Sequence, residues 1–355
     1  MSIFDNMLKS DESLFTDEVP LDYSYIPKLV PYREKEQQQI ALCIKPLQAR
    51  RNGKNVLIYG TPGIGKTVAV RHLLRELEET SEEIVPVYIN CWQKNTSFKV
   101  AIELCDALNY KFTHNKRTEE LLKIAIEILN KKSTVLCFDE IDKCEELDFL
   151  YGILEQVYRK SILLITNYKV WATDLDERLK SRLTLEAIEF RKYNEAETLG
   201  ILKERLKYAF VPGCWDNDAI NLAAKKSFEL GDIRQGLYIV REAGNAAENR
   251  ASKKITVSHV ESAIKKLTEF NVKKSTDLAD DEKKILDIIK ENSGKKIGEL
   301  YDSFKEKGGD SSYKTFQRKI EFLAKNKYIT ADKTEGGKSG NTTIIHYAQR
   351  KLDEF

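Results

Sequence analysis

The sequence predicts an α/β core built on a parallel sheet with flanking helices, an all-α lid, and a C-terminal winged-helix domain. Three observations carry this reading. In the first half, four short apolar runs alternate with helical stretches: NVLIYG (55–60), IVPVYIN (84–90), TVLCFDE (134–140) and SILLITN (161–167). Strands apolar on both faces belong in a parallel sheet covered by helices above and below. After about residue 190 the strands stop and helical periodicity takes over. Beyond the polar stretch VKKSTD (272–277), the pattern reads helix, helix, helix, short strand, glycine-rich turn and β-branched strand.

In chain order, residues 1–20 read as a flexible N-terminal arm. Pro20, Pro27 and Pro31 punctuate an extended segment leading to Tyr32, Arg33 and Glu34, because proline fixes φ and disfavours helix at the preceding residue. Residues 34–51 predict a helix with Ile40, Leu42, Ile44 and Leu47 among polar positions. Helices over 66–79, 97–109, 118–131 and 145–159 alternate with the four strands. The second part gives helices over 194–210, 216–228, 232–250 and 256–269, the last with Thr256 or Ser258 as N-cap and Glu261 beyond. The third part gives helices over 280–292 and 297–307, a longer amphipathic helix over 311–329, and a hairpin with the tip EGGKSGN (335–341). The expected domain limits are 21–190 for the core, 191–271 for the lid and 277–349 for the winged helix.

Bulk properties bound the function. A chain of 355 residues is long enough for two or three domains. It is 41% hydrophobic and 32% charged, as a globular protein is, with a net charge of only +2, so any nucleic-acid surface must be local. The 6 cysteines form no C-x-x-C pair and most sit in apolar runs, which reads as buried reduced thiols rather than a zinc site. The 4 histidines include no H-E-x-x-H, so metal-dependent hydrolysis of that type is not expected. Apolar runs fall short of the ~18 residues that span a membrane. The N-terminal MSIFDNMLKSDESLF is polar and acidic, unlike a signal or transit peptide, and predicts a cytoplasmic protein without membrane partners.

The chemistry begins at GTPGIGKT (60–67), which fits G-x-x-x-x-G-K-[ST] between a strand and a helix. Gly60, Gly63 and Gly65 let the backbone curl so that its N–H groups face phosphate oxygens, with Thr61, Pro62, Ile64 and Val68 completing the loop and its exit. Lys66 supplies a charge to the β/γ-phosphates and Thr67 a hydroxyl for Mg²⁺. In VLCFDEID, Asp139 ends a strand where it would hold the same Mg²⁺ through water, and Glu140 would activate a water for attack on the γ-phosphate of ATP. Asn167 ends the next strand, either as a turn former or as a hydrogen-bond partner of that water. In LDERLKSRL, Arg178 and Arg182 share a helix face, either as surface charges or with one of them pointing at a neighbouring subunit's γ-phosphate. In GDIRQGLYIVREA (231–243), Gly231 and Asp232 predict a turn and an N-cap, with Ile233, Leu237 and Val240 apolar at helical spacing. Arg234 sits one turn in, with no acidic partner expected on its own face.

From 310 to 351 there are nine basic residues and four acidic ones, a local basic surface on a near-neutral chain. Ser311, Ser312, Tyr313, Lys314, Gln317 and Arg318 begin the long helix, placed to face bases and phosphates in a major groove. Lys338 and bare backbone at the hairpin tip would meet a phosphate or a minor groove. The alternative is a basic helix and hairpin used for protein contact.

These motifs in this order resemble an AAA+ ATPase. More narrowly, the chain resembles the archaeal replication-initiator family, homologous to the origin-recognition and cell-division-control proteins. LDYSYIPKLVPYREKE (21–36), YINCWQKNT (88–96), LDERLKSRL, GDIRQGLYIVREAGNAAE (231–248) and KITVSHVESAIKK carry the likeness, which covers about residues 14–345. The resemblance implies ATP or ADP with Mg²⁺ as cofactors and slow hydrolysis used as a switch. It also implies double-stranded origin DNA as partner, and recruitment of a replicative helicase or a paralogous initiator subunit. It places the backbone of Val30, Tyr32 and Arg33 beside adenine, Tyr193 near the base, and Arg205 along the nucleotide pocket. It makes Arg234 a lid sensor of the bound phosphates and Arg182, with Arg178 second, the arginine finger. The chain departs from the family at Ile64, where threonine is commoner, and at Arg191-Lys192, where prolines are frequent. The family's DNA-contacting insertion in the ATPase domain has no clear counterpart here. A clamp-loader subunit or a transposition-accessory ATPase shares the nucleotide motifs. The first predicts a helical collar instead of a hairpin, and GDIRQG followed by a winged helix fits neither.

Overall fold

The computed structural model describes residues 13–276, 280–325, 328–334 and 342–347. The chain divides into one compact unit up to Ala263 and a second from Ile264.

In the first unit, β1 (Val56–Tyr59), β2 (Ile84–Asn90), β3 (Ser133–Asp139), β4 (Lys160–Thr166) and β5 (Glu186–Glu189) form one sheet in the order β2-β3-β4-β1-β5. Every pairing is parallel. The first four lie within a residue of the expected ends. β5 is an addition. Its sequence EAIE buries only Ile188, so no apolar run announces it, and pairing with β1 is what makes it a strand.

Alternation along the strands sorts the core into two layers. Leu57, Leu136, Phe138, Ile162 and Leu164 pack with α3 (Ser97–Ala107), α4 (Thr118–Leu129) and α5 (Asp148–Gln156). Val56, Ile58, Val135, Cys137, Leu163 and Ile165 pack on the other face with α1 (Glu34–Ile44) and α2 (Lys66–Thr80). The helix expected over 34–51 stops at Ile44: Pro46 falls in a 3-10 turn over Lys45–Ala49, and Arg50 is left-handed at φ 55. Five of the cysteines are buried and Cys144 is partly exposed. Among the described residues, no helix is long and apolar enough to cross a membrane.

A short helix, α6 (Glu177–Leu183), precedes β5, and the lid follows as α7 (Glu195–Ala209), α8 (Asn217–Leu230), α9 (Ile233–Glu248) and α10 (Val257–Thr276). At the start of α10, Thr256 N–H donates to His259 Nδ1, so His259 rather than Glu261 reaches back to the cap. The linker expected over 272–277 is helical to Thr276, because VKKST contains no glycine or proline to stop it. The arm expected to be flexible over 1–20 is held from Ser13 on. Leu14 N–H donates to Glu248 at 2.7 Å, Thr16 N–H to the Ala209 carbonyl at 2.9 Å, and the Phe15 ring lies 4.5 Å from that of Phe210.

The lid's entry is fixed by a capping box. Asn194 accepts the Glu197 N–H and Glu197 accepts the Asn194 N–H. Arg191 Nη1 donates to the same carboxylate at 2.7 Å, and that bond holds the Glu197 carboxyl down at about 2. A depressed carboxyl contributes stability that is complete above its unfolded value, near 4.5, and is lost as pH falls toward 2. Arg191 is 58% exposed, so solvent screening limits the gain to about 1 kcal/mol. Glu197→Gln keeps the cap and loses the charge. Its stability, measured by denaturant titration, is expected to lie about 1 kcal/mol below wild type at pH 7, with the gap narrowing below about pH 4.5 and closing only as pH falls below about 2. Parallel curves across that window would refute the assignment.

The second unit contains α11 (Asp280–Glu291), α12 (Ile297–Glu306) and α13 (Tyr313–Lys325), with β6 (Lys295–Lys296), β7 (Ile329–Thr334) and β8 (Thr342–Tyr347). The strands form an antiparallel sheet in the order β6-β8-β7. Ile285, Ile289, Leu300, Phe304, Phe316 and Ile345 make its core. Two lysines give no strand signal, so β6 was not expected. The helix expected over 311–329 begins only at Tyr313, because the Ser312 hydroxyl accepts the Thr315 N–H as a cap, and β7 takes its far end. The hairpin tip 335–341, with Lys338, lies outside the described residues.

Candidate functional site

The sheet order places β4 between β3 and β1, so the ends of these strands bring Asn167, Asp139 and the glycine-rich loop together. The loop turns through Gly63 at φ 75 and Gly65 at φ 83, conformations that cost little only in glycine. Ile64, where the family more often has threonine, is buried in the core.

Lys66 folds over the loop. Its ammonium donates to the Gly60 carbonyl at 2.6 Å, the Thr61 carbonyl at 2.9 Å and Asn167 Oδ1 at 3.0 Å. Burial pushes it down to about 8, so it still carries its charge at neutral pH. Asp139 is 1% exposed. Thr67 and Tyr88 each donate a hydroxyl to its Oδ2 at 2.7 Å, and the Glu140 N–H donates to its Oδ1 at 2.9 Å. Burial raises the Asp139 carboxyl above the usual range, and these three bonds and the Lys66 charge oppose the rise. Glu140 is left-handed at φ 52, a strained setting for a non-glycine residue. Burial first, then Asp139 and Asp142, raise its carboxyl, which suits a group that takes a proton from water.

The lid meets the loop at Gly63. The Ile233 N–H donates to the Gly63 carbonyl at 3.1 Å, and a Cβ on Gly63 would lie 2.0 Å from Asp232 Oδ1. Asp232 caps α9 as expected, accepting the Arg234 N–H at 2.9 Å. The Arg234 guanidinium, expected to lack an acidic partner, is paired with this same carboxylate, Nε at 3.0 Å and Nη2 at 2.7 Å. Asp232 stands outside the helix, so its side chain folds back over the first turn instead of following a helical face.

Beside the loop lies an apolar pocket. Val30, Gly65, Val68, Tyr193 and Arg205, all expected at the nucleotide, line it. Tyr25, Leu29, Ile201, Glu204 and Tyr208 complete much of the wall and were not foreseen. Arg205 is held over the Tyr25 ring at 5.0 Å and donates to the Pro20 carbonyl at 3.2 Å. Tyr32 and Arg33 are not in that wall. The Tyr32 hydroxyl lies against Gly200, and Arg33 is buried behind the loop. Tyr88 was also missed. Its position two residues before the strand end becomes informative only once the β2–β3 register, Tyr88 opposite Cys137, is known.

Arg178 and Arg182 stand apart from this cluster. Arg178 is 80% exposed and pairs with Asp176 at 3.7 Å. Arg182 pairs with Glu155 at 2.7 Å and lies over the Tyr151 ring at 5.0 Å. In the second unit, Lys314 and Arg318 are exposed on α13, and Gln317 and Tyr313 line a shallow polar pocket with Lys296.

The family models "AAA domain" and "Cdc6 AAA+ ATPase-type lid domain" match residues 49–170 and 199–265. An ORC1-type DNA replication protein 2 of Methanosarcina acetivorans is 30% identical, over 96% of this chain and 95% of its own. An ORC1-type DNA replication protein 1 of Archaeoglobus fulgidus is 32% identical, over 86% of this chain and 79% of its own. Among solved structures, the Aeropyrum pernix ORC1 protein in complex with DNA superposes with a TM-score of 0.74 at 25% identity, covering 96% of this chain and 95% of that one. Cdc6p of Pyrobaculum aerophilum shares the fold, with a TM-score of 0.65 at 19% identity.

Proposed function

Because the chain belongs to the family of ORC1-type DNA replication proteins, we propose that it is an ATP-dependent initiator of DNA replication. It binds ATP or ADP at the glycine-rich loop and double-stranded origin DNA through the C-terminal winged helix, and it works beside a replicative helicase or a paralogous initiator subunit. One observation carries this reading: the fold likeness to the DNA-bound ORC1 chain runs through 96% of this one, both units included.

Within the site, the loop N–H groups and Lys66 hold the phosphates, and the pocket of Val30, Tyr193 and Arg205 takes the base. The Thr67 hydroxyl and Asp139 carboxylate, 2.7 Å apart, are hard oxygen donors of the kind Mg²⁺ binds with water. Bound there, the ion would supply charge neutralisation on the phosphate oxygens. Glu140 takes the proton of the attacking water, Asn167 helps to orient that water, and Arg234 senses the γ-phosphate from the lid. Arg182, or else Arg178, completes the site of a neighbouring subunit. Such a division between subunits makes hydrolysis slow for one chain and suits a switch.

Footprinting on genomic fragments with ATP tests the proposal. Protection of a discrete, repeated site near a replication start is expected, and sequence-independent coating would sink it. On the DNA side, Lys314 and Arg318 remain available on α13, whereas the Ser312 hydroxyl is engaged as its cap. The Lys338→Glu variant is expected to weaken DNA binding and to lower the slope of log K against log salt by about one. A slope and affinity unchanged across salt concentrations would remove the hairpin tip from the interface.

A further inference from the structure

Arg33 has 0% exposure, and its guanidinium is consumed by contacts with three separate segments. Nε and Nη2 donate to the Ile64 carbonyl at 3.2 and 3.0 Å. Nη2 also donates to the Arg191 carbonyl at 2.6 Å, Nε to the Tyr193 hydroxyl at 3.1 Å, and Nη1 pairs with Glu36 at 2.8 Å. The planar group lies 4.0 Å from the Tyr193 ring centroid and 5.2 Å from that of Phe190. A buried arginine is costly unless its donors are met. Here they are met largely by backbone carbonyls, one inside the phosphate-binding loop and one in the segment leading from β5 to the lid.

We infer that Arg33 is a positioning residue for the phosphate-binding loop. A peptide unit is planar and trans, so its C=O and N–H point in opposite directions. By gripping the Ile64 carbonyl with two donors, Arg33 fixes the plane of the Ile64–Gly65 peptide and turns the Gly65 N–H away from itself, toward the loop's mouth. Gly65, at φ 83, imposes no side-chain constraint of its own, so that orientation is set from behind. The same guanidinium ties the loop to the Arg191 carbonyl and to Tyr193, a wall of the base pocket. Arg33 therefore holds the phosphate loop against the lid connector. The inference rests on the proposed nucleotide site and gives the Arg33 side chain, behind the loop, a role there.

The test separates base binding from phosphate binding. Adenosine and ADP affinities are measured by titration calorimetry on wild type, Arg33→Gln and Arg33→Lys, with thermal melting as a folding check. In Arg33→Gln the ADP-to-adenosine affinity ratio is expected to fall at least about tenfold, with adenosine binding kept within about twofold. Arg33→Lys, which retains one charged donor toward Ile64, is expected to lose less. A ratio equal to wild type, or an equal loss for both ligands, would overturn the positioning role and leave Arg33 as a packing element. If Arg33→Gln does not fold, the Arg33→Lys ratio decides by the same criterion. A wild-type protein that binds ADP no better than adenosine would instead remove the nucleotide-site reading, and this inference with it.

Discussion

In the Lys66→Ala protein, ATP affinity is expected to fall by at least about 100-fold, below detection in a standard calorimetric titration. The expectation rests on position as well as on motif. The ammonium is 6% exposed as a residue and is already gathered against two loop carbonyls and Asn167. A charge held in such a setting is screened weakly and acts strongly on phosphate. At pH 7 it remains protonated, since burial pushes it only to about 8. The fold should tolerate the change, because β1, α2 and their core contacts do not depend on that side chain. A melting curve close to wild type with lost binding is the expected pair of results. Near-native affinity in a folded Lys66→Ala protein would show that the loop does not hold phosphate.

The parts of this site legible in the sequence are those whose chemistry demands residue types at fixed spacing. GTPGIGKT and FDEID are of this kind, and the structure joins them through the Thr67–Asp139 hydrogen bond. What was not legible depends on register or on tertiary assembly. Tyr88 reaches Asp139 only because β2 pairs beside β3 in one register. The apolar pocket beside the loop also draws Tyr25, Leu29, Ile201 and Tyr208, which no fixed spacing singles out. β5 pairs with β1 but buries one side chain of four. For Arg33 only the backbone was expected beside the base, and nothing placed its side chain, which is directed into the protein at the back of the loop. A buried arginine and a surface one look alike in sequence until its acceptors, mostly backbone carbonyls here, are known.

The Arg234→Ala protein is expected to bind ATP within about threefold of wild type and to hydrolyse it about 100-fold more slowly. Two contacts at the lid explain why affinity should survive. The Ile233 N–H reaches the Gly63 carbonyl at 3.1 Å, and Asp232 packs against Gly63. The first does not use the Arg234 side chain, and Asp232 keeps its bond to the Arg234 backbone N–H, so α9 stays seated on the loop without it. Hydrolysis is another matter: in the proposed sensor role the guanidinium leaves Asp232 for the γ-phosphate. Magnitudes favour that exchange. The Arg234–Asp232 pair has side chains 47% and 19% exposed, and an ion pair so accessible to water is worth about 1 kcal/mol or less. A charge-assisted bond to a multiply charged phosphate in the cleft contributes more. Asp232→Asn isolates the competition, since asparagine can still cap α9 while releasing the arginine. Its hydrolysis rate should equal or exceed wild type, measured as single-turnover phosphate release. If Asp232→Asn were as slow as Arg234→Ala, the ion pair itself would be the working arrangement. If Arg234→Ala matched wild type in both binding and hydrolysis, the lid arginine would have no part in sensing the nucleotide.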